Sequence, residues 1–252
     1  MKLSSIVALV TGAGSGLGAA TARHLADCGA HVVALDRDAD AARKIAADIG
    51  GTPTPADITN TPEVEAALNA AEEKGPLRVL VNCAGIPSAG RIAGRDGPLP
   101  LEEFEKTIRI NLLGVFNMMR LVAVRMQALD PLEDGERGVI VNTASVAAFD
   151  GQLGQVAYAA SKGGIVSMAL PAARELAKFG IRVNTIAPGV FHTPMVDFLP
   201  QDVQDGIAAD IPFPNRLGDP DEFAQTVRYC IETRYLNAEV IRLDGGVRLP
   251  PK

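Results

Sequence analysis

The chain of 252 residues has no tryptophan, only three cysteines and three histidines, and 4% aromatic residues. Cys28, Cys83 and Cys230 stand far apart, odd in number and without a C-x-x-C pair. That pattern argues against disulfides or a structural zinc and suits a reducing cytosol. His24, His31 and His192 form no metal-ligand spacing, so no metal is expected. Positive charge is also short: 24 Lys and Arg face 30 Asp and Glu, a formal net charge of -6. No dense basic stretch is present to neutralise a phosphate backbone or an anionic bilayer, so neither nucleic acid nor membrane is an expected partner. Apolar runs such as Ile6 to Val10 fall far short of the roughly 20 residues of a spanning helix. The first of them breaks at Thr11 and Gly12, too soon for a secretory segment. The expectation is a cytoplasmic protein whose mature chain starts where the sequence does.

What is present is a repeating rhythm. Short runs rich in β-branched residues recur at Ile6 to Val10, His31 to Leu35, Arg78 to Val81, Gly138 to Asn142, Ile181 to Ile186 and Glu239 to Leu243. Each reads as a strand buried on both faces. Between them, Gly18 to Asp27, Pro62 to Glu73, Leu101 to Ala128, Ala157 to Lys178 and Asp221 to Thr233 carry apolar residues at helical spacing. Strand alternating with helix predicts an α/β Rossmann fold, a doubly wound parallel sheet of about seven strands with helices on both faces. No linker divides the chain, so residues 1–252 are expected to form one domain. Two irregular stretches interrupt it: 86–100, with Arg91 and Arg95, and 188–220, with Phe191, Met195, Phe198, Leu199, Ile211 and Phe213. Both follow strands and belong at the carboxyl edge of the sheet, where such folds bind ligands.

The first strand runs into Thr11-Gly12-Ala13-Gly14-Ser15-Gly16-Leu17-Gly18 and then a helix. Glycines there permit a tight turn and a close backbone approach to a pyrophosphate, and the helix N-terminus favours the anion. Asp36, at the end of the second strand, is placed to accept hydrogen bonds from an adenosine ribose and to repel a 2'-phosphate. A solvated acidic turn is the alternative. Arg37 follows, but no base sits at Ser15, so NAD is expected over NADP.

Tyr158 and Lys162 are four residues apart at the start of a predicted helix and share one face. Ser145 lies just past the strand Gly138 to Asn142. A tyrosine working as a base near neutrality needs its pKa, about 10, lowered. A cation about 4 Å away at an effective dielectric near 20 is worth roughly 4 kcal/mol, so Lys162, helped by a positive nicotinamide ring, is expected to supply that shift. Ser145 would hold the substrate oxygen.

Together these residues resemble the short-chain dehydrogenase/reductase family, over essentially the whole chain. The resemblance assigns Gly12, Ser15, Gly16, Leu17 and Gly18 to the pyrophosphate loop, and Asp57 with Ile58 to the adenine. Cys83, Ala84 and Gly85 would line the cofactor where the family often has Asn-Asn-Ala-Gly. Asn111 matches an asparagine that holds a water between Lys162 and solvent, a buried kink residue being the alternative. Pro188-Gly189-Val190-Phe191 with Thr193 matches the segment that grips nicotinamide. Asn82-Cys83-Ala84-Gly85-Ile86, Thr143-Ala144-Ser145-Val146-Ala147-Ala148-Phe149 and Arg216-Leu217-Gly218-Asp219-Pro220 are similar to the 3-hydroxyacyl-CoA dehydrogenase type-2 group within it. That likeness implies an NAD-dependent homotetramer of fatty acid metabolism acting on an acyl-CoA thioester or a similar secondary alcohol. Gln155 and Gln152 are then candidates for the thioester carbonyl, or else solvated glutamines. Arg91 and Arg95 are candidates for coenzyme A phosphates, or else a solvated loop. A 3-oxoacyl carrier-protein reductase using NADPH, a hydroxysteroid dehydrogenase and a catalytically silent dinucleotide-binding subunit are the alternatives. A serine hydrolase is disfavoured because Ser145 sits in T-A-S-V-A rather than G-x-S-x-G.

Overall fold

The computed structural model describes residues 1 to 251 apart from 96 and 198, and only the backbone at 195. Phe198 and the Met195 side chain, expected in the second irregular stretch, therefore lie outside the described residues. In chain order the elements are β1 (Val7–Thr11), α1 (Gly16–Asp27), β2 (His31–Asp36), α2 (Ala39–Ile49), β3 (Thr52–Pro55), α3 (Thr61–Glu72) and β4 (Leu77–Asn82). A hairpin of β5 (Ala93–Gly94) and β6 (Gly97–Pro98) precedes α4 (Leu101–Ile108), which runs through a π-helical turn, Arg109–Gly114, into α5 (Val115–Gln127). There follow β7 (Gly138–Thr143), α6 (Ala147–Asp150), α7 (Val156–Ala177), β8 (Ile181–Pro188), α8 (Pro194–Asp197), α9 (Gln201–Ala209), α10 (Pro220–Glu232) and β9 (Val240–Leu243).

Seven of these strands form one sheet in the order β3-β2-β1-β4-β7-β8-β9, every pair parallel. Alternate residues feed opposite cores, as the two-residue strand period requires. Ala8, Val10, Val79, Val81, Val139 and Val141 pack with Leu25 of α1 and Phe223 and Val227 of α10. Val7, Leu9, Leu80 and Ile140 pack on the other face with Leu68 of α3 and Met118 and Met126 of α5. Strand order reverses between β1 and β4, and a crevice opens there beyond the carboxyl ends.

Some elements differ from expectation. Edge strand β3 reads Thr-Pro-Thr-Pro, a sequence without strand character that survives because an edge needs no N–H toward solvent. Helix α2 starts at Asp38, whose carboxylate accepts from the N–H groups of Asp40 and Ala41. Residues 188–220 hold α8 and α9 rather than irregular chain throughout. The span Leu101–Gln127 is long and apolar enough by length and composition to cross a membrane, and half of its most apolar window is buried inside this fold.

Candidate active site

A cleft of about 530 Å³ lies over the crevice between β1 and β4, within the usual range of small-molecule sites. One end is glycine-built. A Cβ on Gly12, whose φ is +65°, would stand 2.8 Å from the Ala84 backbone, and one on Gly18 would stand 2.0 Å from the Gly12 carbonyl oxygen. Only glycine permits this crossing of two backbones. Thr11 secures it, its hydroxyl accepting from the N–H groups of Cys83 and Ala84 at 3.2 and 3.1 Å. Ser15 caps α1 without a side-chain hydrogen bond, leaving the first N–H groups of the helix free of side-chain partners. Thr193 packs against Gly16, within 3.2 Å of where a Cβ would be.

Asp36 is engaged by the backbone at both carboxylate oxygens. Its Oδ2 accepts from the Gly14 N–H and its Oδ1 from the Asp38 N–H, both at 2.9 Å, so it ties the glycine turn to the start of α2. Leu17, Asp57, Ile58, Cys83, Ala84 and Gly85 line the same half of the cleft. Asn117, not singled out from sequence, donates to the Ile58 carbonyl at 2.8 Å and so fixes that wall. A buried asparagine on an otherwise apolar helix face was the available signal.

At the other end stand Ser145, just past β7, and Tyr158 and Lys162 on the first turns of α7. Ser145 Oγ accepts from the Ala147 N–H at 3.1 Å. Lys162 is 4% exposed and donates from Nζ to the Thr143 carbonyl at 2.8 Å. Its Nζ is 5.8 Å from the centre of the Tyr158 ring. Burial pulls the Lys162 ammonium down to about 8, against a small opposing pull from Cys83. Burial also pushes the Tyr158 phenol above its ordinary value, partly countered by the Ser145 hydroxyl. The protein's own groups alone do not lower the phenol, since desolvation dominates there and the Lys162 ammonium is engaged by Thr143; the expected lowering rests on Lys162 together with a positive nicotinamide ring. Burial pushes the Cys83 thiol up to about 11, with the Thr143 hydroxyl 3.6 Å from its sulfur.

Asn111 sits in the π turn, fully buried, with its amide engaged by Ile86 and Ser161. Phe191 is buried and meets Phe223 edge-on, with ring centres 6.4 Å apart. Gln155 lines the cleft, but its Oε1 accepts from the Gln152 N–H at 3.0 Å. Arg91 and Arg95 are exposed on the β5–β6 hairpin and line a separate shallow depression with Ala93 and Gly94.

The short chain dehydrogenase family model matches residues 6–204. The chain belongs to the short-chain dehydrogenase family. It is an oxidoreductase of the group acting on CH–OH. It is 50% identical over 255 residues to 3-hydroxyacyl-CoA dehydrogenase type-2 of Bos taurus, covering 99% of this chain and 98% of that one. The crystal structure of 3-hydroxyacyl-CoA dehydrogenase type-2 from Mycobacterium avium superposes with a TM-score of 0.96 at 42% identity, covering 100% of this chain and 98% of that one. A 3-ketoacyl-(acyl-carrier-protein) reductase from Brucella melitensis, complexed with NADH, matches at a TM-score of 0.86 and 32% identity, covering 98% and 100%. The glycine crossing, the free start of α1 and the Asp36 carboxylate fit a nicotinamide dinucleotide lying along the cleft.

Proposed function

We propose that this enzyme interconverts a 3-hydroxyacyl-CoA and its 3-oxoacyl form with NAD as cofactor. The observation that carries the reading is one cleft holding the glycine crossing at one end and Ser145, Tyr158 and Lys162 at the other, in a chain half identical to a 3-hydroxyacyl-CoA dehydrogenase. Gly12, Ser15, Gly16, Leu17 and Gly18 hold the pyrophosphate, Asp36 the adenosine ribose, Asp57 and Ile58 the adenine. Cys83, Ala84, Gly85, Phe191 and Thr193 line the remainder of the cofactor path. The carboxylate of Asp36 disfavours a 2'-phosphate and so selects NAD.

A nicotinamide dinucleotide held there would supply the hydride acceptor for the carbinol carbon in oxidation and the hydride donor in reduction. The protein's own groups handle the oxygen. Ser145 donates a hydrogen bond to the substrate oxygen and sets its distance from Tyr158. In oxidation the Tyr158 oxygen takes the hydroxyl proton; in reduction the phenol returns it. Lys162, oriented by the Thr143 carbonyl, is the cation nearest the phenolate so formed. Asn111 holds the wall opposite by fixing Ile86. The apolar side of the substrate site comes from the segment around α8, with Pro194 and Val196 at the cleft. Arg91 and Arg95, exposed on a separate depression of the loop after β4, would supply positive charge for the coenzyme A phosphates. Exposed Leu113, Phe116, Val124 and Leu170 on the two long helices are the faces of a homotetramer.

The test is kcat/KM with NAD and NADP across 3-hydroxyacyl-CoA thioesters, the carrier-protein thioester, a hydroxysteroid and plain secondary alcohols. The CoA thioester with NAD is expected to be best. Turnover of the thioester no better than that of a plain alcohol of similar length overturns the substrate, and equal use of NADP overturns the cofactor preference.

A further inference from the structure

After β9 the chain turns sharply at residues 244–246. Gly245 and Gly246 take φ of +60° and +83°, and Asp244 Oδ1 accepts from the Gly246 N–H at 2.9 Å. The five residues beyond run back over the catalytic cleft. Val247 is buried with Ile211 and Leu217, in a small cluster that Val190 and Val196 also touch. Arg248 points to solvent, 62% exposed. Leu249 is half-buried and lines the same cleft as Ser145, Tyr158 and Gln155. The alternation in-out-in is that of an extended segment with one face turned to the site.

Three separate anchors hold this segment. The Pro250 carbonyl accepts from Gln152 Nε2 at 3.1 Å, and the Pro251 carbonyl from the Leu153 N–H at 3.0 Å. Arg242 braces the base of the turn, reaching Asp150 at 2.5 Å, Asp244 at 2.8 Å and the Val247 carbonyl at 3.2 Å, with its guanidinium 5.1 Å from the Phe149 ring centre. The tail therefore joins the α8–α9 side of the cleft to the segment that follows Ser145. A branched aliphatic side chain pinned at a cleft wall excludes volume there, and its neighbours cannot relax freely because both ends are tied.

We propose that residues Val247–Pro251 form a wall of the substrate site, with Leu249 determining how large a group beyond the reacting carbon is accepted and Gln152 positioning it. The proposal rests on the substrate side of the cleft assigned above and goes beyond it in naming what limits the acyl group.

The experiment compares kcat/KM for a long-chain and a short-chain 3-hydroxyacyl-CoA in the wild type, Leu249→Ala, Gln152→Leu and the double variant. Leu249→Ala is expected to shift the long-to-short ratio toward the long substrate by about tenfold or more, tenfold being the low end for a single methylene in an apolar pocket. Gln152→Leu is expected to give part of that shift alone and none on top of Leu249→Ala, which separates positioning of Leu249 from direct contact with substrate. Because the chain has no tryptophan, Leu249→Trp also serves as a single reporter. With NAD saturating, a long-chain 3-oxoacyl-CoA is not turned over and is expected to shift its emission. The same addition to Tyr235→Trp, at a fully exposed position, is expected to change nothing. An unmoved ratio together with silent Leu249→Trp emission overturns the tail's role. If the wild type oxidises no 3-hydroxyacyl-CoA, the proposed substrate falls instead. The ratio is then read on two secondary alcohols of different length, where an unmoved value overturns the tail.

Discussion

Asn111 holds Ile86 by both of its backbone polar groups: Oδ1 accepts from the Ile86 N–H at 2.8 Å, and Nδ2 donates to the Ile86 carbonyl at 2.9 Å. The amide also reaches Ser161 Oγ at 3.3 Å, and Ser161 donates to the Tyr158 carbonyl at 2.7 Å. One side chain in a π turn thus joins the loop after β4 to the first turn of α7. Single π turns recur at functional sites because they re-aim a side chain that a regular helix would misplace.

Asn111→Leu removes the partner of both Ile86 groups, and each lost hydrogen bond in this part-buried setting costs about 0.5–1.5 kcal/mol. The expected outcome is a lower melting temperature together with a fall in kcat, since Ile86 and Tyr158 lose their common tether. Calorimetry and steady-state kinetics on the same preparation check both. A loss of stability with kcat intact would confine Asn111 to the fold.

Lys162 makes stability depend on pH in a defined direction. Its ammonium titrates at about 8 in the folded chain against 10.5 when free. Between those values the unfolded chain binds the extra proton, so stability rises with pH. Below about pH 8 both states are charged and the burial penalty is fully present. Denaturant unfolding of the cofactor-free protein is expected to show wild type gaining about 2 kcal/mol over Lys162→Met between about pH 7 and about pH 9.5. A constant difference across that window would place the ammonium in a wetter setting than the structure gives it.

The glycine turn, Asp36 and the Ser145, Tyr158 and Lys162 trio were legible because each needs a particular residue at a particular offset from a strand or helix end. Gly12 is required by a backbone crossing, and Tyr158 and Lys162 share a face by helical period. Other features depend on contacts remote in sequence and had no local pattern to read. Thr143 orients Lys162 through its carbonyl, which any residue would provide. Leu249 reaches the cleft on a tail held by Gln152 and Leu153, nearly a hundred residues earlier, as well as by Arg242. Edge strand β3 pairs through its backbone with β2 despite two prolines. The environment of the Tyr158 phenol was half legible for a similar reason, since a sequence shows the cation four residues away but not the desolvation that opposes it.

Arg182 is the principal polar anchor of the amino-terminal edge of the sheet, away from the cleft. Its guanidinium meets Glu136 at 2.9 Å and donates to the carbonyls of Cys230, Ile231, Thr233 and Leu236. A lysine cannot reproduce that fork. Arg182→Met leaves Glu136 to the amino terminus at 3.4 Å and to Arg234 at 3.8 Å and strips the carbonyls of their shared donor, so it is expected to cost up to about 3 kcal/mol, the lower end for a broken buried pair. Arg182→Lys should recover only part, while the folded fraction of either variant keeps wild-type KM for cofactor. Denaturant titration and cofactor KM separate the two effects, and a changed KM would show that this edge communicates with the cleft.

Asp36 is expected to do two things that a variant will lose together. Both carboxylate oxygens accept backbone N–H groups, from Gly14 and Asp38, so the side chain shapes the glycine turn as well as serving the proposed ribose contact. An asparagine keeps one acceptor oxygen but sets its amide donors against the second N–H. Alanine removes both. A hydrogen bond to a charged group is worth about 1.5–3 kcal/mol, and about 1.4 kcal/mol is tenfold in affinity. NADH binding, followed by fluorescence without substrate, is therefore expected to weaken about tenfold or more in Asp36→Ala and less in Asp36→Asn. The preference for NAD over NADP should relax in both, because the charge that repels a 2'-phosphate is gone. If NADH affinity holds while discrimination relaxes, the carboxylate acts on the ribose alone and the glycine turn is held by other contacts. If discrimination holds in both variants, the selection of NAD lies elsewhere in the cleft.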